Sequence, residues 1–277
     1  MVFLGTPALA VPPLRALMAA GIEVRLVVSQ PDRRRGRGAA VSPSPVKAAA
    51  VELGLPLSED VDDVLAAGAE LGVVVAFGRI IRPPVLAALP MVNLHFSLLP
   101  RWRGAAPVER AILAGDERTG VDLMVVEEGL DTGGIYRRAE VAIGPDESLA
   151  ALRERLVAIG TEMLVDELTS GLGVPRPQEG EVTYAAKLDA DDRRLDWSLP
   201  AVDVHRRVRL GEAWTTHAGR RLKVWRTHVP PRGDGPVAPA ADGPVELVEV
   251  QPEGKPRMTA RAWANGARWQ PADGLGP

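Results

Sequence analysis

Gly72-Val73-Val74-Val75-Ala76-Phe77 is an unbroken apolar run with three consecutive β-branched residues. A strand of a half-exposed antiparallel sheet would alternate apolar and polar positions. A run without alternation predicts a central parallel strand buried on both faces. Outward from it, residues 1–4 form a short apolar run, residues 22–29 are β-branched and apolar, and Met91–His95 reads as another short strand. Segments with helical spacing lie between them, at 8–20, 43–53 and 61–70. Further on, 105–114 reads as a helix, 121–126 and 135–143 as strands, and 147–168 as a long amphipathic helix. Strands alternating with helices predict an α/β domain, Rossmann-like, with a mainly parallel sheet.

The texture changes after residue 168. Residues 170–181 are rich in Gly and Pro and read as a linker. A short helix is expected at 203–210, and short strands at 214–217, 221–226 and 245–251, with Pro, Gly and Ala dominating 227–244. The resulting division is an α/β domain over 1–180, a linker over 181–202 and a small β-barrel over 203–277, with three or four strands visible.

Composition narrows the classes. Hydrophobic residues make up 46% of the 277 residues, enough to bury a sizeable core. The absence of cysteine excludes a disulfide framework, a thiolate zinc site and a cysteine nucleophile. No stretch approaches the ~20 uninterrupted apolar residues of a membrane helix, and the start lacks the features of a signal peptide; a cytoplasmic protein is expected. Net charge is −3, unevenly placed: residues 190–277 hold 14 Lys+Arg against 11 Asp+Glu, and five of the six Trp (Trp197, Trp214, Trp225, Trp263, Trp269) lie there. This excess is modest beside that of strong nucleic-acid binders. The Trp residues are read as packing residues.

Chemistry concentrates beyond the strand at Met91–His95. The chain has only four His. One of them, His95, follows Asn93 by two residues, so on a strand both side chains share a face. Asp131 comes 36 residues after His95, in the Gly-rich loop Gly129-Leu130-Asp131-Thr132-Gly133. Both His95 and Asp131 follow strands, where open α/β sheets bind ligands. An amide donor, an imidazole and a carboxylate are the parts needed to move an acyl group onto an amine. The plain alternative is a core histidine bonded to backbone, with Asp131 as a turn residue.

The run Asn93-Leu94-His95-Phe96-Ser97-Leu98-Leu99-Pro100-Arg101-Trp102-Arg103-Gly104-Ala105-Ala106-Pro107, with Glu128-Gly129-Leu130-Asp131-Thr132-Gly133 beyond it, resembles the methionyl-tRNA formyltransferase family. Phe3-Leu4-Gly5-Thr6-Pro7, Ser29-Gln30-Pro31-Asp32-Arg33, Gly36-Arg37-Gly38, Pro43-Ser44-Pro45-Val46-Lys47, Val74-Val75-Ala76-Phe77-Gly78-Arg79-Ile80-Ile81 and Val250-Gln251-Pro252-Glu253-Gly254-Lys255 extend the resemblance over nearly the whole chain. It implies that 1–180 is the catalytic domain with the formyltransferase fold and that 203–277 is an OB-like domain; an OB barrel needs five strands, so a shortened barrel is expected. It implies 10-formyltetrahydrofolate as donor, the α-amine of methionyl initiator tRNA as acceptor, no metal and a monomer. Asn93 would donate to the formyl oxygen as it becomes an oxyanion, His95 would assist that polarisation and the proton movement, and Asp131 would hold His95. Phe77, Gly78, Arg79, Ile80, Ile81, Ser97, Leu98, Leu99, Pro100, Gly129 and Leu130 would surround the folate.

A basic loop carries Arg33, Arg34, Arg35 and Arg37 among glycines. Short charge runs are usually solvated surface; the resemblance implies a loop that docks on tRNA phosphates. Three departures from the family stand out: the short 227–244 segment, Leu210-Gly211-Glu212 in place of an Asn-Pro-x-Pro-like turn, and Phe77 and Gly134 where Tyr and Asp are usual. The alternatives are a folate-dependent formyltransferase acting on a small amine such as an amino sugar nucleotide, and a folate- or RNA-binding protein without turnover. Gly5 is expected to be a strand-to-helix turn glycine.

Overall fold

A computed structural model describes residues 1–34 and 41–276, apart from the side chains of Arg33, Arg34 and Val41. The chain forms two compact units. The first comprises Met1–Pro107, Arg118–Ala142 and Arg153–Ala186; the second comprises Val108–Glu117, Ile143–Leu152 and Lys187–Pro277.

The first unit is built on a seven-stranded sheet. Its strands are β1 (Val2–Gly5), β2 (Leu26–Val28), β3 (Leu57–Ser58), β4 (Gly72–Val75), β5 (Met91–His95), β6 (Arg118–Val125) and β7 (Ile135–Ala142), in spatial order β7-β6-β5-β4-β1-β2-β3. The five strands from β5 to β3 are parallel, and β6 and β7 are antiparallel additions. As the apolar run at 72–77 requires, β4 is central, pairing Val75 with both Gly5 and Leu94, and Val73 to Val75 are buried. Burying each such aliphatic side chain contributes about 1.5–3 kcal/mol. Gly5 ends β1 rather than serving as a turn residue. A Cβ there would lie 3.1 Å from the Val75 carbonyl and 3.0 Å from the Ala10 methyl, so glycine permits close strand packing.

Local sequence explains the helices and one shortfall. The helix Pro45–Glu52 starts where Ser44 Oγ accepts from Lys47 N at 3.0 Å and Pro45 takes the first position, both favourable there. The helix expected at 61–70 is only a 3₁₀ turn, Val61–Leu65, capped by Asp60. It unwinds before Gly68, which sits at φ +62, in the left-handed region open to glycine. Within the long helix Leu149–Ser170, Gly160 faces the sheet. A Cβ there would be 3.0 Å from Val121, so its absence lets the helix settle onto β5 and β6.

The second unit carries a five-stranded antiparallel sheet: β8 (Ala213–His217), β9 (Arg220–His228), β10 (Val237–Pro239), β11 (Pro244–Pro252) and β12 (Met258–Thr259). The order is β8-β9-β11-β10, with β12 also paired to β11. The expected three or four strands are therefore corrected to five, two of them very short. β10 was hidden by its Pro/Gly surroundings; as an edge strand it tolerates Pro239. A helix at Ala260–Ala267, capped by Thr259 Oγ1 accepting from Ala262 N at 3.2 Å, also escaped the sequence reading. Leu222, Val224, Leu247 and Val250 from the sheet, Val204 and Val208 from the helix Ala201–Arg209, and Trp263 and Trp269 form the core. The core placement of these two Trp accords with their reading as packing residues.

Candidate active site

Asn93 and His95 both lie in β5, with His95 at its carboxyl end. His95 is only 5% exposed, so its ring must find partners inside the protein. Nε2 lies 2.9 Å from the Trp102 carbonyl. A carbonyl only accepts, so Nε2 carries a proton. Nδ1 faces Asp131 Oδ2 at 3.6 Å. In the neutral ring Nδ1 is therefore the free lone pair, and a proton taken up there is met at once by a carboxylate. Asn93 is half-buried on the same face, and its amide makes no hydrogen bond to any described residue. The site thus contains an uncommitted amide donor beside an imidazole whose accepting nitrogen is backed by a carboxylate.

Both partners of His95 are held in unusual backbone. Trp102 sits at φ +64 and Asp131 at φ +50, conformations that cost a non-glycine residue about 1–2 kcal/mol. Local hydrogen bonds offset this cost. Trp102 N donates to Thr183 Oγ1 at 2.9 Å, and Asp131 Oδ2 accepts from Gly104 N at 2.7 Å. One expectation is corrected. Strand β6 runs against β5, pairing Val125 with Val92 and Asp122 with His95. The Asp131 loop therefore leaves β6 beside the amino end of β5, not beside His95, and turns back to reach it.

The loop after β5 is fixed from below. Ser97 is buried and its hydroxyl donates to the Arg101 carbonyl at 2.6 Å; Leu99 and Pro100 are buried, joined by a cis peptide, and Leu98 is half-buried. Asp122, fully buried on β6, accepts from Leu99 N at 2.8 Å and from Arg138 Nε and Nη2 at 2.8 and 2.7 Å, while Arg138 Nη2 also donates to the Leu99 carbonyl at 2.5 Å. Burial pushes the Asp122 carboxyl up, against the opposing pull of Arg138, the Leu99 N–H and His95. Sequence reasoning missed both residues. A signal existed: a lone carboxylate inside an apolar strand must be paired, and β7 supplies arginines.

The segment after β4 sits next to the end of β5. Phe77 is buried, its carbonyl accepting from Thr6 Oγ1 at 2.9 Å and Gln30 Nε2 at 2.7 Å; Gly78 is at φ +74, Arg79 donates to the Glu59 carbonyl at 3.1 Å, Ile80 is 88% exposed and Ile81 is buried. Gly129 and Leu130 are exposed. Of the basic loop, the backbone of Arg33 and Arg34 forms a two-residue strand paired with Val41–Ser42, while Arg35 and Arg37 lie outside the described residues. Among the described residues no group of three or more His, Cys, Asp or Glu could hold a metal ion, and no helix is long and apolar enough to cross a membrane.

Comparison with known proteins decides the family. Residues 1–168 match the model described as formyl transferase and residues 187–268 the one described as formyl transferase, C-terminal domain. A methionyl-tRNA formyltransferase of Methylococcus capsulatus is 43% identical over 296 residues, spanning 96% of each chain. This chain belongs to the methionyl-tRNA formyltransferase family. A second relative of that name, from Dinoroseobacter shibae, is 49% identical over 240 residues, covering 81% of this chain and 80% of its own. Among solved structures, the methionyl-tRNA formyltransferase of Clostridium thermocellum matches at TM-score 0.59 and 16% identity, over 89% of this chain and 97% of that one, a likeness of fold. The formyltransferase described here is an enzyme that takes its formyl group from 10-formyltetrahydrofolate.

Proposed function

We propose that Asn93, His95 and Asp131 are the catalytic residues with which this enzyme moves the formyl group of 10-formyltetrahydrofolate to the α-amine of methionyl initiator tRNA. The observation that carries the residue assignment is the pairing of an uncommitted Asn93 side-chain amide with a His95 ring fixed at Nε2 by the Trp102 carbonyl and facing the Asp131 carboxylate at Nδ1. The donor supplies an acyl carbon already activated by its leaving amine. As the acceptor nitrogen bonds to that carbon, the formyl oxygen gains negative charge, and Asn93 donates to it. The new C–N bond leaves the amine with a surplus proton. His95 Nδ1 takes that proton, its ring fixed by the Trp102 carbonyl, and Asp131 stabilises the resulting imidazolium. The proton is then delivered to the folate nitrogen as its bond to the formyl carbon breaks.

In this reading residues 77–81, 97–100 and 129–130 line the folate, largely with backbone groups, and Arg33, Arg34, Arg35 and Arg37 contact tRNA phosphates. The protein works as a monomer in the cytoplasm, checked by light scattering and fractionation. The deciding assay is formyl transfer to methionyl initiator tRNA, with uncharged tRNA as control. His95→Ala is expected to lower kcat by ~10²-fold or more with folate binding retained. Full activity in that variant removes His95 from the mechanism.

A further inference from the structure

The stretch between the helix Leu149–Ser170 and the second unit reads in sequence as a Gly/Pro-rich spacer. In the structure its residues 176–185 are part of the first unit and bond to its loops. Arg176 exchanges two backbone bonds with Ile135, at 2.7 and 2.9 Å. Tyr184–Ala185 forms a strand paired with Arg103–Gly104, and Thr183 accepts from Trp102 N through its hydroxyl and from Arg103 N through its carbonyl, both at 2.9 Å. Between these anchors stands Gln178, flanked by Pro177 and Glu179.

Gln178 uses its whole hydrogen-bonding capacity. Nε2 donates to the carbonyls of Asp131 and Gly133, at 2.8 and 2.9 Å. Oε1 accepts from Arg103 Nε and Nη2, at 3.1 and 2.6 Å. A side-chain amide has two donor hydrogens and two acceptor lone pairs, and all four are engaged. The two segments joined in this way are those that hold His95: Arg103 follows Trp102, whose carbonyl fixes Nε2, and Asp131 faces Nδ1. Gly104, next to Arg103, donates to the Asp131 carboxylate. Each loop contains a strained left-handed residue, and neither belongs to a long strand that would fix its position.

We propose that Gln178 is a positioning residue for formyl transfer. It sets the spacing between the Trp102 and Asp131 loops and thereby the 3.6 Å approach of Asp131 to His95. The proposal rests on the reading of Asn93, His95 and Asp131 as catalytic residues. Gln178 touches no substrate in this role; it acts through Asp131.

The test compares Gln178→Met, Gln178→Glu, Asp131→Ala and the double variant Asp131→Ala/Gln178→Met in the full-length enzyme, assayed with methionyl initiator tRNA and 10-formyltetrahydrofolate. Gln178→Met keeps the side chain's length and removes all four bonds. Gln178→Glu keeps the Arg103 pairing and cannot donate to the Asp131 and Gly133 carbonyls. Both are expected to lower kcat by ~10-fold or more, the scale of a sub-ångström misplacement, with KM for either substrate nearly unchanged. In the Asp131→Ala background Gln178→Met is expected to cost less than ~2-fold further, because residues acting as a unit are not additive. Three results overturn the proposal: full kcat in Gln178→Met, full kcat in Gln178→Glu, or an undiminished loss in the Asp131→Ala background, which would mark a general structural role. Full activity in Asp131→Ala is a different failure. It removes the reading of the site itself, and the positioning role with it.

Discussion

Arg138→Met isolates the buried carboxylate beneath the loop at residues 97–100. The substitution keeps an unbranched side chain over the sheet and removes the guanidinium that makes two bonds to Asp122 and one to the Leu99 carbonyl. Breaking a buried ion pair by removing one partner costs about 3–5 kcal/mol. Asp122 is 0% exposed but Arg138 is 39% exposed, so solvent screens part of the pair and the low end of that range applies. It retains the Leu99 N–H bond, worth about 1.5–3 kcal/mol as a bond to a charged group, and it can protonate. A loss of about 3 kcal/mol at pH 8 follows. The sign of its pH dependence is set by Asp122, whose carboxyl burial already pushes upward with Arg138 present. Without the arginine the folded-state value rises further above the unfolded one. A group raised on folding contributes stability that is full below its unfolded pKa and lost as pH rises through its folded pKa. The variant's deficit is therefore smaller near pH 4.5 than at pH 8. Hydrogen exchange of peptides from β5 and β6, read as opening free energies at the two pH values, measures this directly. A deficit that is the same at both, or below about 1 kcal/mol at pH 8, refutes the argument that Asp122 depends on Arg138 for its charge.

Other perturbations reach different parts of the enzyme. Changing Arg33, Arg34, Arg35 and Arg37 together to Ala is expected to weaken tRNA binding and flatten its salt dependence by ~0.7–0.9 per lost phosphate contact on a log–log plot, with folate affinity unchanged; an unaltered slope in filter binding removes the loop from the tRNA contact. Gly133→Ala places a Cβ 2.0 Å from the Val125 carbonyl, so the Asp131 loop must shift. A fall in kcat of ~10-fold or more is expected, and wild-type kinetics would show that the loop tolerates displacement. In the second unit, Glu246 accepts from Arg232 N at 2.8 Å, Gly233 N at 3.1 Å, Gly235 N at 3.2 Å and His228 Nδ1 at 3.2 Å. The Arg232 N–H foremost holds its carboxyl below the ordinary value, with His228 and the other amides helping. Its contribution is present above the unfolded pKa and disappears as pH falls through the folded one. Glu246→Gln is expected to cost about 1–3 kcal/mol at pH 7 and less at pH 3; equal costs in urea unfolding at both pH values would contradict this.

What the sequence revealed follows from how local each feature is. Strand β4 and the parallel sheet were legible because strands buried on both faces write continuous apolar runs, as at 72–77. Asn93 and His95 were legible as a pair because strand periodicity alone puts them on one face. Asp131 was legible as a residue and not as a position, because the direction of β6 cannot be read from its own apolar pattern. The supports of the site were hidden for a related reason. Asp122 meets Leu99 and Arg138 across 23 and 16 residues of sequence, and Gln178 meets Asp131 across 47. The strand Val237–Pro239 was missed because Pro on a sheet edge has the same composition as a loop. The helix Ala260–Ala267 had a usable pattern, with Ala260, Trp263 and Ala264 buried at helical spacing, in a stretch of the small barrel domain to which no element was assigned.

The same locality explains how the site is stabilised. Asn93 and His95 are placed by a strand that the core would form for packing alone. The groups that make His95 reactive in the proposed mechanism, the Trp102 carbonyl and the Asp131 carboxylate, stand on loops where two non-glycine residues hold left-handed backbone. Left-handed backbone at such residues persists only where surrounding bonds over-determine it. Here those bonds come from Thr183, Gly104 and Gln178. Exchanging Trp102 or Asp131 for glycine would relieve the backbone cost at each position and still be expected to lower activity. At Trp102 a freer backbone lets the carbonyl turn away from Nε2, and at Asp131 the carboxylate itself is gone. A stabilised but slower Trp102→Gly enzyme would show that the strain is tied to function, whereas an equally fast one would mean that the carbonyl needs no such restraint.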